Sequence, residues 1–394
     1  MKINKWTLGL AAVGLVTLGS SANAEEKLSV VQTALSSTTL SGYVDVNAIW
    51  RSGTTGTAPN GNNAGPGRVY DVNQTGVSEQ DGFNLNVVSL TLDKPLDEGQ
   101  WSAGYRLQTL IGPGAVGRGT GVTSGTGSGI ALNEAYVALR APVGNGLDFK
   151  FGQFQTPLGY EAYDTYKNPN YSRSFGFFIE PTSQVGILAN YVFADWISAA
   201  VGIANSTSGN IDARGAIESK KNYLAVITMT APESFGAMKG STLSIGYNNG
   251  QANASTVTTQ NLYIGGTIAT PVTGLTLGLA YDYQSNGLQT GSWAQTFAMY
   301  LSFQATEKLK LNARGDFAKG SVDTTGLGVF YNAPGANYNN LFAFTLTADY
   351  SLWENVITRA ELRWDKDIGG DNPFNSTTGT SQSLTALVSA TYRF

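Results

Sequence analysis

From Thr39 onward, apolar and polar residues alternate in many segments of roughly ten residues, and none shows the three- and four-residue apolar spacing of an amphipathic helix. In LSGYVDVNAIW, Leu40, Val44, Val46, Ala48 and Trp50 fall on one face, and Ser41, Tyr43, Asp45, Asn47 and Arg51 on the other. In NVITRAELRWD, Val356, Ala360, Leu362 and Trp364 oppose Arg359, Glu361, Arg363 and Asp365. The same reading places strands near 39–51, 82–93, 100–110, 130–141, 147–155, 184–193, 196–204, 222–231, 241–249, 260–269, 274–284, 293–305, 307–318, 341–351, 355–366 and 383–394. The chain is predicted to be all-β with about sixteen strands.

The connections alternate between long and short. Long ones near 52–81, 111–129, 156–183, 205–221, 250–259, 285–292, 319–340 and 367–382 are rich in Gly, Ser, Thr and Asn; between them lie short turns such as APVGNG, TPVTG and LWEN. A sandwich has no reason to keep its long loops at one end, whereas a membrane barrel places short turns on one side of the bilayer and long loops on the other. Tryptophan agrees: Trp101, Trp196 and Trp353 stand at short-turn ends of strands, and Trp50, Trp293 and Trp364 at long-loop ends. An indole has an apolar body and an N–H that needs a wet partner, so two rows at strand ends read as interfacial girdles. The expected architecture is a transmembrane antiparallel up-and-down β-barrel. In lipid every backbone group must be paired within the protein, so the last strand should close on the strand at 39–51. With about sixteen strands, the interior is wide enough for an aqueous channel.

Composition narrows the chemistry. The 394 residues carry 24 Lys+Arg, 28 Asp+Glu, no His and no Cys, with only 13% charged residues. The slight acidity argues against nucleic acid as a partner. The missing His and Cys remove Ser-His-Asp triads, imidazole ligands and thiolate sites, so no catalytic residue, cofactor or metal site is predicted. Residues 1–24 read as a secretory signal, with Lys2 and Lys5 ahead of the apolar run Leu8 to Leu18 and Ala22-Asn23-Ala24 as the cleavage site. Residues 25–38 form a short N-terminal piece on the periplasmic side, readable as a helix or a tether, and 39–394 form the barrel. Gly112, Gly114 and Gly117 suggest a phosphate-cradling turn, but no helix follows them and that reading is rejected.

The ending LTALVSATYRF alternates apolar residues up to Tyr392 and closes on Phe394. It resembles the C-terminal signal by which outer-membrane proteins are handed to the barrel assembly machinery. The segment GQFQTPLGYEAYDTYKNPNYSRSFGFFIEPTSQVGILANY is the most specific in the chain. Its Gly159-Tyr160-Glu161, Asn168-Pro169-Asn170, Ser172-Arg173-Ser174 and Glu180-Pro181-Thr182 elements resemble the OmpL-like β-barrel porins called porin-2, as do LSGYVDVNAIW and NVVSLTLDKPLDEG. The resemblance implies an outer-membrane porin and no particular substrate.

The residues of that segment point the same way. It is the third long loop, and it carries Pro157, Pro169 and Pro181 among seven aromatic side chains from Tyr160 to Phe178. Aromatics need burial, and the nearest place is the barrel interior, so the loop is expected to fold inward; capping the outer mouth or packing on a neighbouring subunit are the alternatives. Tyr160, Glu161, Asp164, Lys167, Arg173 and Glu180 are the candidate constriction residues, with Arg173 equally readable as a clamp holding the loop to the wall. Candidate lumen charges are Arg106, Arg140, Lys150, Arg314, Arg359 and Arg363, and Asp45, Glu134, Asp282, Asp316, Asp349 and Glu361. Such side chains filter solutes when they ring a constriction and otherwise pair along the wall. The function these features imply is passive diffusion of small hydrophilic solutes and ions across the outer membrane of a Gram-negative-type envelope, by a monomer or homotrimer embedded in outer-membrane lipid. The alternative is a structural or adhesive barrel acting through its loops.

Overall fold

The computed structural model describes residues 31–32, 37–52, 81–97, 101–116, 129–209, 211, 213–287, 289–321, 340–370 and 381–394. The predicted signal 1–24 and its cleavage site, most of the 25–38 piece, and much of the Gly-rich loops at 52–67 and 112–129 lie outside the described residues. Sixteen long strands appear: β1 Thr39–Ser52, β2 Gly82–Lys94, β3 Ser102–Ile111, β4 Ile130–Ala141, β5 Leu147–Gln155, β6 Ser183–Ala194, β7 Ile197–Ala204 and β8 Asn222–Thr230. They continue with β9 Thr242–Gln251, β10 Thr258–Ala269, β11 Leu275–Ser285, β12 Trp293–Gln304, β13 Leu309–Gly320, β14 Asn340–Trp353, β15 Val356–Asp367 and β16 Gln382–Arg393. Each pairs antiparallel with the next. Of the N-terminal piece, Val31–Gln32 is extended and pairs with Leu40 and Thr39.

The ring closes where β16 pairs with β1, from Leu384 opposite Ser52 to Arg393 opposite Tyr43. Phe394 extends the seam, its N–H donating to the Gly42 carbonyl at 3.0 Å and its carbonyl accepting the Gly42 N–H at 2.9 Å. No open edge is left to meet lipid at this point.

The period-2 pattern decides which side each residue takes. On β15, Ala360, Leu362 and Trp364 are exposed on the outer face, whereas Arg359, Glu361, Arg363 and Asp365 are buried on the inner one. A one-residue slip would exchange these sets, so the pattern pins the register. Trp50, Trp101, Trp196, Trp353 and Trp364 are exposed at strand ends, with the Trp364 indole donating to Gln382 at 3.2 Å.

Two bulges aim amides inward. Asp45 pairs with Val87 and Val46 with Leu85, so Asn86 is the extra residue of β2. Gln108 pairs with Glu134 and Thr109 with Leu132, so Asn133 is the extra residue of β4. An inserted residue turns its side chain toward the face it would otherwise miss, and both amides are fully buried.

Candidate functional site

Residues 156–182 connect β5 to β6 and lie inside the barrel, across the lumen. At one side, Leu158 and Tyr160 pack with Val226, Tyr263, Ala280 and Ala298 of the wall, and the Tyr160 ring stacks on Tyr300 at 4.2 Å. Gly246 makes room for this contact, since a Cβ there would stand 2.9 Å from the Leu158 side chain. At the other side, Tyr163 and Tyr171 join Tyr43, Ile49, Leu110 and Leu387, with Tyr166 and Phe177 against them. The aromatic side chains of the loop thus find their burial on two faces of the inner wall.

Polar contacts fix the middle of the segment. Glu361 on β15 accepts the backbone N–H of Tyr171 at 2.6 Å and of Ser172 at 2.9 Å, and the Thr347 hydroxyl at 2.7 Å. Arg314 on β13 donates to the carbonyls of Ser172 and Arg173 at 2.6 and 3.0 Å, while pairing with Glu161 at 3.0 Å and Asp316 at 2.7 Å. Arg363 pairs with Asp365 at 2.9 Å and donates to the Arg173 carbonyl. Arg359 reaches the carbonyls of Thr165 and Asn168 at 2.7 and 3.0 Å. Tyr171 donates its hydroxyl to Asp45 at 2.6 Å, and Asn86, the bulge residue, donates to the same hydroxyl. A planar fork with five N–H donors suits a row of carbonyls better than an ammonium would, so the three holding side chains are arginines.

Within the segment, Glu161 accepts the Ser174 N–H at 3.0 Å and the Tyr300 hydroxyl at 3.0 Å. Asn168 closes on Ala162 with two hydrogen bonds of 2.8 Å. Ser174 caps the short helix Phe175–Ile179, and Asn261 and Gln284 each donate to the Ile179 carbonyl at 2.8 Å. Asp164 accepts the Tyr43 hydroxyl at 2.9 Å and pairs with Lys167 at 2.7 Å. Burial opposes its ionisation, but Lys167 and that hydroxyl prevail and hold its carboxyl below the ordinary 3.8. Glu180 is pushed the other way, well above 4.5, by burial and by the Asp282 carboxylate beside it.

The structure therefore sorts the predicted site residues. Glu161, Asp164, Arg173, Arg314, Asp316, Arg359, Glu361 and Arg363 come together, but buried in the joint between segment and wall rather than bare to the lumen. Arg173 donates to the carbonyls of Ala162 and Tyr163, so it holds the segment to itself, and the clamps to the wall are the three strand arginines. Tyr160 belongs to the packed end, and Glu180 stands against Gly159. Arg106 and Glu134 pair with each other at 2.6 Å on the wall. Tyr392 and Phe394 lie at the closing seam. Alternation alone did not single out Asn86, Asn133, Thr347 or Tyr300.

A closed sixteen-stranded barrel with a connection anchored across its lumen is the architecture of a porin. A family model described as "Putative beta-barrel porin-2, OmpL-like" matches residues 37–394, and the chain belongs to that family. No curated protein matches it. Among solved structures, it is similar to the outer membrane channel DcaP of Acinetobacter baumannii, with 13% identity, 92% of this chain and 99% of that one covered, and a TM-score of 0.57. An anion-selective porin from Comamonas acidovorans matches with 12% identity over 91% of this chain and 99% of that one, at a TM-score of 0.57. A trimer form of OmpT, an outer membrane protein of Vibrio cholerae, matches with 10% identity over 91% and 99%, at 0.54. At these identities the likeness is one of fold.

Proposed function

We propose that this protein is an outer-membrane porin through which small hydrophilic solutes and ions diffuse passively, with residues 156–182 setting the width of the channel. The observation that carries the reading is the segment's anchorage: Arg314, Arg359, Glu361 and Arg363 each hydrogen-bond its backbone, which fixes it inside the lumen instead of leaving it free at the mouth. A wall that only supported surface loops would have no need of such an internal strut. Export through the signal 1–24, insertion by the barrel assembly machinery and assembly as a monomer or homotrimer belong to the same proposal.

Single-channel recording of the purified protein in planar bilayers, with liposome swelling for a panel of neutral solutes, tests it. Stepwise conductance is expected, rising when Lys167 to Ser174 is shortened. A folded barrel that passes no current and swells no liposomes would point to the structural or adhesive alternative.

A further inference from the structure

The far end of the segment is held to the wall differently from its middle. Glu180, which follows the short helix Phe175–Ile179, meets Asp282 of β11 through a side-chain hydrogen bond. Two ionised carboxylates have no donor between them, so this bond exists only while one of the pair is protonated. Close packing leaves the pair few other partners. A Cβ on Gly159 would strike the Glu180 carboxylate, and one on Gly176 the Asp282 carboxylate. Asp282 is buried and accepts the Thr296 hydroxyl at 3.4 Å, and no other donor reaches its Oδ1. Burial, Asp282 and Glu161 all favour the protonated form of Glu180; Arg173 is the opposing cation, and its fork is engaged with the carbonyls of Ala162 and Tyr163. The titratable hydroxyl of Tyr263 on β10 lies near both carboxyls, with Tyr160 next to it. At the other end of the helix, Asp316 and Arg363 are paired with Arg314 and Asp365. Glu180 is only half-buried. With Gly159, Phe177 and Thr182 it lines a small cavity with room for a water molecule, which gives a proton a way out.

We propose that Glu180 and Asp282 form a proton-operated latch: sharing one proton, they hold the Ile179–Glu180 corner against β10 and β11, and when alkaline medium removes it the corner comes loose and the channel current becomes noisy. The other wall contacts of this corner are neutral, Asn261 and Gln284 each donating to the Ile179 carbonyl at 2.8 Å. Two like charges a hydrogen bond apart in a joint of low dielectric repel more strongly than two neutral hydrogen bonds attract. The middle of the segment stays docked, because Arg314, Arg359, Glu361 and Arg363 act on the backbone between Thr165 and Arg173.

The chain has no Cys and no His. A nitroxide attached through Phe178→Cys in the full-length protein is therefore a single label, and between about pH 5 and about pH 9 ordinary carboxyl, tyrosine and lysine side chains contribute little titration. The label is expected to be immobilised at the acid end and to gain a mobile component as the pH rises, with open-channel noise increasing in parallel. Glu180→Gln keeps a donor toward Asp282, and Asp282→Asn one toward Glu180, so in both variants the label should stay immobilised across the range, with folding checked by heat-modifiable migration. Label mobility that does not change with pH when Glu180 and Asp282 are intact, or that rises just as much in Glu180→Gln, would overturn the latch. The noise part of the inference rests on the porin reading. A label that loosens with pH in a folded barrel without current would overturn that reading and support the latch.

Discussion

Arg314 and Glu161 lie 153 positions apart in the chain and meet at 3.0 Å, with their side chains 0% and 2% exposed. An ion pair this dry is costly to break, because whichever partner is left behind keeps a buried charge without compensation. Arg314→Met is expected to destabilise the docked segment by roughly 3–5 kcal/mol. Arg314→Lys should recover little of it, since one ammonium cannot serve two carboxylates and two carbonyls in the directions the fork does. Urea unfolding in detergent, followed beside single-channel current noise, measures both effects.

Glu361 is a second point of attachment. Glu361→Ala leaves the N–H groups of Tyr171 and Ser172 and the Thr347 hydroxyl without their acceptor, at roughly 1–3 kcal/mol for each group that stays dry. The barrel should remain closed while the segment loosens, so conductance is expected to rise and fluctuate with heat-modifiable migration unchanged. Arg359→Ala should act in the same direction and more weakly, because it frees carbonyls at only one turn of the segment.

On the neighbouring position of the same strand the effect reverses in kind. Leu362 is 53% exposed on the outer face. Leu362→Arg should cost roughly 2–4 kcal/mol of folding stability if it lies mid-bilayer, with conductance unchanged in the fraction that folds. Conductance changes without a stability loss would place Leu362 inside and Glu361 outside.

The closing seam predicts an assembly defect. A Cβ on Gly42 would stand 2.8 Å from the Phe394 ring and strike the carbonyl of Ser89 across the strand pair, so Gly42→Val should reduce assembled barrel sharply. Deleting Phe394 removes both of its hydrogen bonds with Gly42 and should also lower the assembled fraction, read as unboiled against boiled migration in detergent.

The buried Glu180 carboxyl adds a pH dependence of its own. Because burial and Asp282 raise it above 4.5, the folded protein keeps a proton that the unfolded chain has released. Stability should therefore fall as pH rises from about 4.3 through the folded-state value, the reverse of a salt-bridged carboxylate. The urea midpoint of Glu180→Gln should depend less on pH than that of the wild type over this interval.

Much of this fold can be read along the chain because a barrel wall is a local object. Each strand has one lipid face and one lumen face, so period 2 marks both its existence and its register, and the sixteen segments located by alternation coincide with β1 to β16 within about two residues. The turn from wall to ring also follows from sequence, since lipid permits no open edge. The inward course of residues 156–182 was legible in outline, from aromatics that need burial. Which charges face the lumen was not, because alternation puts Glu361, Arg314 and Lys150 on one inner face without distinction. Only the tertiary structure separates them. Glu361 and Arg314 come from strands far along the chain to meet Ser172, and are buried by it, whereas Lys150 rests on the Tyr136 ring of the wall. Whether a wall charge becomes a strut or stays accessible depends on where the loop lands, a long-range contact that no local pattern encodes.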